Sequence, residues 1–329
     1  MKNDKVRIAL VGAGNWGRQH ARILAAHPGV EFCGILGRTE QKVQERSREY
    51  GVRGYTRLSQ MVEREKPDMV CVCLPSQEHY DLTLEIIRAG IPLLVEKPLV
   101  FDRREADTLL TEAGRRNLFF AINFNHRYAK PAELARQAIS DGRVGDIVFA
   151  TWRSSGQGSS THRYANLIQT QCHAFDLLEQ FCGPIESMMA QMTDKTGGGF
   201  RSLALALRFQ NGAVGNLLGS YDSSWSYQNS HLLEIHGTKG RVLLEDTVRR
   251  FSFQAAGSET AEVWQAGYFN DFDREFHRMF DKHFDAMLSA FKAGQQPPIP
   301  AAAGHRALVC ATAAIESFET GRRVSVPLL

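Results

Sequence analysis

A lysine stands directly before a proline at the end of a short apolar run, in Glu96-Lys97-Pro98-Leu99. An ammonium group there can donate to a hydroxyl or carbonyl oxygen and stabilise the charge that develops on it. The bland alternative is a solvated surface lysine, the commonest fate of that residue type. A second group of interest is His173, within Ala165-Asn166-Leu167-Ile168-Gln169-Thr170-Gln171-Cys172-His173-Ala174-Phe175-Asp176. An imidazole with an ordinary pKa near 6.5 exchanges protons readily at neutral pH. On one continuous helix Gln169, His173 and Asp176 share a face. Gln169 can orient a substrate by hydrogen bonds but cannot take a proton, whereas Asp176 can fix the tautomer of His173 or bond to substrate. The competing reading is a structural histidine in a packed helix. Lys97 and His173 are therefore the catalytic candidates, and Lys97, Gln169, His173 and Asp176 the substrate-binding ones. Arg163 (with His162 and Tyr164) and Tyr227 join them as residues able to line a pocket, each equally suited to plain loop or sheet surface. Cys172 and His173 point about 100° apart on a helix and make a poor pair of ligands, so no metal is expected.

The strongest local pattern is Gly12-Ala13-Gly14-Asn15-Trp16-Gly17, placed after the apolar run Val6–Val11 and before a helical pattern. A tight glycine turn between strand and helix lets backbone approach a pyrophosphate, and the helix N-terminus faces its charge. Gly12, Gly14, Asn15, Trp16 and Gly17 are thus candidate dinucleotide contacts, against the alternative of a mere glycine-rich turn. For NAD the second strand should end in a carboxylate for the ribose hydroxyls. The chain instead has Leu36-Gly37-Arg38-Thr39. A missing carboxylate removes repulsion from a 2′-phosphate, and Arg38 can pair with that group. The same arginine stacked on adenine would suit NAD. Arg38 and Thr39 are the expected adenosine-end contacts, with NADP slightly favoured over NAD. Leu74, Pro75, His79, Glu96, Lys97 and Arg127 complete the expected cofactor-binding set; Arg127 is expected near the nicotinamide ribose or in an ion pair.

Elements that position these residues follow from hydrophobic periodicity. Strand-like runs at Val6–Val11, Glu31–Leu36, Met69–Leu74, Leu93–Val95 and Phe119–Phe124 alternate with helical patterns. That alternation predicts a doubly wound parallel sheet. After Asn125 the pattern changes to successive strands at Ile147–Arg153, Met188–Thr193, Ser202–Phe209, Ala213–Ser220, Leu232–His236 and Arg241–Leu244, with the hairpin signal Asn211-Gly212. These predict a mostly antiparallel sheet. Two helices close the chain, about Asp271–Ala293 and Ala303–Thr320. In the first, Phe272, Phe276, Phe280, Phe284, Met287, Leu288 and Phe291 recur at core spacing. The fold class is α/β: a Rossmann domain over 1–124 and an α/β domain with a large open sheet over 125–329.

Composition excludes more than it names. The 329 residues are 43% hydrophobic, which rules out disorder and collagen-like repeats. Lys plus Arg at 39 against Asp plus Glu at 36 is too balanced to advertise nucleic acid as a partner. Six scattered cysteines, mostly in apolar runs, do not form a disulfide framework. No uncharged run approaches the roughly 18 residues of a membrane helix, and the first residues lack a leader's apolar stretch. A cytoplasmic protein with no membrane association is expected.

Several of these motifs together resemble the Gfo/Idh/MocA oxidoreductases, which include glucose–fructose oxidoreductase and inositol dehydrogenase. The resemblance rests on Gly12–Gly17, Pro75…His79, Ala89-Gly90, Glu96-Lys97-Pro98-Leu99 and Asn125-His126-Arg127-Tyr128. It continues through Gly142–Ile147, His236-Gly237-Thr238-Lys239-Gly240 and Glu319-Thr320-Gly321-Arg322-Arg323-Val324. It implies a Rossmann domain followed by an α/β domain whose open sheet makes homodimers or homotetramers. It also implies a cis Lys97–Pro98 bond and hydride transfer between nicotinamide and a hydroxyl-bearing or carbonyl carbon of a sugar, polyol or related molecule. The family's usual Asp four residues before the histidine is Gln169 here, which places the acid–base load on His173. Two other readings stand beside this one. One is a nicotinamide-binding regulatory or sensor protein without catalysis. The other is an enzyme acting on a C=N or conjugated bond, or one that retains its NAD.

Overall fold

The computed structural model describes residues 5–158, 160–267 and 272–328. By its internal contacts the chain forms two compact units. The first runs to Asn123 and takes back Phe284–His305; the second holds Phe124–His283 and the segment from Arg306 onward. The boundary drawn from the sequence at 124/125 gives all of 125–329 to one domain. The return of Phe284–His305 has no local sequence signal, because it depends on partners far away in the chain.

The first unit carries strands β1 (Val6–Val11), β2 (Val30–Leu36), β3 (Arg53–Tyr55), β4 (Met69–Val72), β5 (Leu93–Glu96) and β6 (Phe120–Asn123). Helices α1 (Asn15–Ala26), α2 (Glu40–Tyr50), α3 (Leu58–Glu65), α4 (His79–Arg88) and α5 (Arg103–Arg115) alternate with them. All pairings are parallel, in the order β3-β2-β1-β4-β5-β6. Every residue of β4, β5 and β6 is buried, as a sheet covered on both faces requires. The chain reverses its direction across the sheet between β1 and β4, the place where open α/β folds leave a crevice at the carboxyl ends. Strand β3 was not expected: Arg53-Gly54-Tyr55 buries only its tyrosine and has no apolar run. On the other side, the segment 299–301 seals β6, with Ile122 N–H donating to Ile299 O at 3.1 Å and Ala301 N–H to Phe120 O at 2.9 Å.

The second unit is built on nine strands. They are β7 (Ile147–Ser155), β8 (Ile185–Thr193), β9 (Ser202–Phe209), β10 (Val214–Ser220), β11 (His231–Gly237), β12 (Gly240–Glu245), β13 (Arg250–Ala255), β14 (Glu262–Gln265) and β15 (Val324–Ser325). Their order is β14-β13-β12-β11-β7-β10-β9-β8-β15, antiparallel except for the central β7–β10 pair. The Asn211-Gly212 turn joins β9 to β10 as expected, with Gly212 at φ +91°. The sequence pattern does not predict β14 and β15, which are short, or β13, whose Phe251 and Phe253 are interrupted by polar residues. One face of the sheet is covered by helices α6 (Lys130–Ser140) and α7 (Cys172–Cys182). Strand β9 alternates strictly between buried and exposed residues, so its other face is open.

Helices α8 (Phe272–Lys292) and α9 (Ala302–Thr320) complete the chain. Phe280, Phe284, Met287 and Leu288 of α8 are buried, as their spacing predicts. Asp271 and the Phe272 side chain lie outside the described residues. No helix among the described residues is long and apolar enough to cross a membrane.

Two glycines in helices make opposite predictions. A Cβ on Gly304 of α9 would lie 2.3 Å from Ile122 Cδ1 and 3.0 Å from Leu99 Cβ, whereas one on Gly114 of α5 would meet nothing within 4 Å. Gly114→Ala should raise the unfolding free energy by about 0.5–1 kcal/mol, the usual gain in a helix. Gly304→Ala should lower it by about 1–3 kcal/mol through overpacking. Urea titrations of the two variants check the signs.

Candidate active site

The glycine turn is built by crowding within the protein as much as by any ligand. Gly12 has φ +128°, and a Cβ there would fall 2.0 Å from the Cys73 carbonyl oxygen; one on Gly17 would fall 1.9 Å from Gly12 O. Gly14 differs: a Cβ there meets no protein atom within 4 Å, so this glycine faces open space. Gly14 caps α1 without any side-chain acceptor, and the first turn (Asn15, Trp16, Gly17) has no acidic residue. By contrast Asp102 caps α5 through the amides of Arg104 and Glu105. An α1 N-terminus left without a carboxylate keeps its amides and positive end for an anion. Asn15 and Trp16 are exposed there. A dinucleotide pyrophosphate fits this opening, which a Cβ on Gly14 would narrow.

At the end of β2, Gly37 stands where a ribose-binding carboxylate would be expected. A Cβ there would come within 2.9 Å of Ala13 Cβ and Val43 Cγ2, so the turn itself excludes a side chain. Arg38 is 80% exposed in its side chain and pairs with Glu78 at 3.0 Å. Thr39 precedes α2 without a capping hydrogen bond from its side chain.

Leu74, Pro75, His79, Glu96 and Lys97 follow β4 or β5 at the carboxyl edge of the same sheet. The peptide bond Lys97–Pro98 is cis. Lys97 is half-buried, while every other residue of 93–100 except itself is buried. His79 and Glu96 are directed into the protein. His79 Nδ1 lies 2.8 Å from Pro98 O and its Nε2 2.9 Å from Leu74 O. Glu96 Oε1 accepts from His20 Nε2 at 2.7 Å and from Asn123 Nδ2 at 2.5 Å, and Glu96 Oε2 accepts from the Lys97 N–H at 3.1 Å. Burial pushes the Glu96 carboxyl up, but His20, Lys97 and Asn123 outweigh it and hold the group down at about 2. Cys73 Sγ, His20 and Glu96 lie close together. The 2.7 Å His20–Glu96 separation is that of a shared hydrogen, shorter than the roughly 3.4 Å between two tetrahedral zinc ligands.

In the second unit, the helix expected over 165–176 is two elements. Residues Asn166–Thr170 form a π-helical turn, closed by Gln171 N–H to Asn166 O at 3.0 Å, and α7 begins at Cys172. The extra residue breaks the four-residue spacing assumed between Gln169 and His173. Such turns recur at functional sites. Gln171, fully buried, holds the turn: its Oε1 accepts from Trp152 Nε1 at 3.1 Å, and its Nε2 donates to Asn166 Oδ1 at 2.9 Å.

His173 is buried, its ring stacked on His126 with centroids 3.8 Å apart and planes 7° from parallel. Phe124 meets it edge-on at 5.7 Å. Asp176 does not serve His173. It receives both arms of Arg127, Nε at 2.8 Å and the terminal nitrogen at 2.5 Å. Burial lifts the Asp176 carboxyl and the guanidinium opposes that lift. Burial also works against the Arg127 charge, yet Asp176 holds its pKa above the usual value. Arg127 is thus committed to an ion pair within its own unit. Arg163 lies over the Tyr164 and Phe200 rings, and Tyr227 is exposed on the loop 221–230.

His126, Gln171, His20 and Asn123 were not singled out from the sequence. His20 had a usable signal, since it lies three residues after Gly17 on the buried face of α1. The others act through partners that no local pattern reveals. A groove of about 460 Å³, lined by Arg153, Gln191, Ala204, Leu218 and Ser220 among others, lies on the open sheet face. That is the face opposite Trp152 and Gln171.

Acid should destabilise the fold in two stages. Burial holds His79, His231 and His305 below the ordinary histidine value of 6.5. The unfolded chain therefore binds more protons as pH falls through 6.5, and stability falls with it. Glu96, at about 2 in the fold against 4.5 ordinarily, adds a loss from about pH 4.5 downward. Urea midpoints between pH 8 and pH 3 check this; a flat profile between 7 and 5 would refute the histidine stage.

Comparison with known proteins places these observations. Residues 6–124 match the family described as "Oxidoreductase family, NAD-binding Rossmann fold", and residues 136–326 match "Oxidoreductase family, C-terminal alpha/beta domain". An inositol 2-dehydrogenase of Rhizobium meliloti is 23% identical over 334 residues, covering 98% of this chain and 99% of that protein. Among solved structures, a levoglucosan dehydrogenase in complex with NADH and L-sorbose superposes with TM-score 0.89 at 17% identity, covering 99% of this chain and 100% of that one. The WlbA dehydrogenase from Bordetella pertussis, in complex with NADH and UDP-GlcNAcA, gives TM-score 0.85 at 20% identity over the whole of both chains. At such identities the structural likeness speaks for the fold.

Proposed function

Because the chain belongs to the Gfo/Idh/MocA oxidoreductase family, we propose that it is an NAD(P)-dependent dehydrogenase acting on a CH–OH or C=O carbon of a sugar or polyol. The observation that carries this reading is the pairing, on one sheet edge, of an unblocked α1 N-terminus at Gly14 with Lys97 just beyond β5. Full-length relatives named as inositol 2-dehydrogenases support a polyol substrate, and they support catalysis over a sensor role.

The bound nicotinamide supplies or accepts the hydride. Gly14 and the first turn of α1 hold its pyrophosphate through backbone amides. Lys97 donates to the substrate oxygen and stabilises its negative charge, and His173 gives or takes the proton. Gln169 and the neighbouring loops orient the hydroxyls of the substrate. Asp176 and Arg127 act together, fixing α7 to the segment that carries His126. The first unit serves the cofactor, and the second serves the substrate and self-association.

The open sheet face supports a homodimer or homotetramer. Phe149, Met189, Val214 and Leu218 expose apolar side chains on it, a patch that monomers seldom display. Six buried, unbridged cysteines accord with a reducing cytoplasm.

Replacing Lys97 by Met should lower kcat by about 100-fold or more, in line with the loss of an oxyanion donor. NADH binding, followed by fluorescence, should change by no more than a few-fold. Undiminished turnover would end the proposed role of Lys97. At the adenosine end, Glu78 competes with a 2′-phosphate for Arg38. Glu78→Gln should therefore raise the kcat/KM ratio of NADP to NAD several-fold, and Arg38→Ala should lower it; steady-state kinetics with both coenzymes reads the two effects.

A further inference from the structure

The lysine assigned to the substrate oxygen has a long, flexible stem, so the placement of its backbone decides where the ammonium can reach. The Lys97 N–H on one side and the carbonyl of the following residue, Pro98, on the other are each met by a buried side chain. On the N-terminal side, the Lys97 N–H donates to Glu96 Oε2 at 3.1 Å, and the other oxygen of that carboxylate is gripped by His20 at 2.7 Å and Asn123 at 2.5 Å. On the C-terminal side, the His79 ring lies between the Pro98 carbonyl (Nδ1, 2.8 Å) and the Leu74 carbonyl (Nε2, 2.9 Å), and a neutral imidazole there donates its single N–H to one of the two at a time. His20 is 4% exposed, His79 1% and Asn123 2%. None of these side chains is at the surface: His20 and Asn123 bond the Glu96 carboxylate, and His79 meets backbone carbonyls.

We propose that His79, and His20 acting through Glu96, are positioning residues that clamp the Lys97 backbone from both sides. The clamp also links the glycine turn to the lysine, since His20 lies one turn beyond Gly17 on α1. Misplacement of a reacting group by about 1 Å can cost a hundredfold in rate without loss of binding. A purely structural role would instead lower stability and leave kcat of the folded enzyme intact.

The inference rests on Lys97 acting on the substrate oxygen, and the experiment separates the two. His20→Leu and His79→Leu remove the donors; His20→Gln and His79→Gln retain one. Each full-length variant is tested at a temperature where it is folded, with NAD and myo-inositol as the probe pair and NADH fluorescence for coenzyme binding. Hydrogen exchange of the Lys97 amide is measured on the same samples. The leucine variants should lose at least tenfold in kcat, with KM for NAD within about threefold. His20→Leu should speed exchange of the Lys97 amide at least tenfold, and the glutamine variants should recover much of both losses. Folded leucine variants with wild-type kcat and unchanged exchange would overturn the clamp. If a leucine variant does not fold, Asn123→Ala, which removes one donor to Glu96, bears the same readings. Should myo-inositol not be turned over, exchange alone decides. A Lys97→Met enzyme that still turns over defeats the lysine's role; an inactive Lys97→Met beside fully active histidine variants defeats only the clamp.

Discussion

A carboxylate buried in the first unit constrains the surrounding structure. Taking a charge out of water costs several kcal/mol unless its oxygens are fully met by donors. Glu96 meets that demand with an imidazole from α1, an amide from the end of β6 and its own neighbour's backbone. One ionised group therefore ties α1 and the end of β6 to the end of β5 near the carboxyl edge of the sheet. Removing one partner from such a site typically costs about 3–5 kcal/mol, because the charge is left stranded. The geometry of the cofactor turn and that of the lysine are consequently set together.

The second unit solves a similar problem with a full ion pair. Arg127 and Asp176 satisfy one another bidentately, which removes Asp176 as a partner for His173. The His173 ring stacks on His126 and packs against Phe124 in a T-shaped arrangement. Gln169 is displaced from simple helical register by the π-helical turn, itself secured by Gln171 and Trp152. In the proposed reading, proton transfer falls to His173, while Asp176 is taken up by Arg127.

How much of this was legible depended on range along the chain. The glycine turn, the lysine and the alternation of strand and helix rest on a few adjacent residues, and local pattern found them. The first sheet's central strands were clear because burial on both faces writes continuous apolar runs. Strands β3, β14 and β15 escaped because short edge strands need no such run, and β13 because polar residues break up its two phenylalanines in Arg250-Phe251-Ser252-Phe253-Gln254. The Arg127–Asp176 and His20–Glu96 pairs are separated by 49 and 76 residues, and a charged residue's partner is not encoded beside it. The π-helical turn escaped for another reason: helical periodicity in Ala165–Asp176 is consistent with an added residue, and only the hydrogen bond from Gln171 reveals it. A single strand-order feature, the parallel β7–β10 pair inside an antiparallel sheet, was likewise invisible locally.

The closure of β6 by residues 299–301 bears on how the molecule is made. A ribosome delivers the six parallel strands first, and the stretch that occupies the exposed backbone of β6 emerges only once residues 299–301 have been made. Throughout that interval the nascent sheet presents a row of unanswered amides and carbonyls, the kind of edge on which chains associate wrongly. A fragment ending near Asn123 would carry that open edge permanently. The nucleotide-binding sheet is thus translated well before the segment that closes its edge.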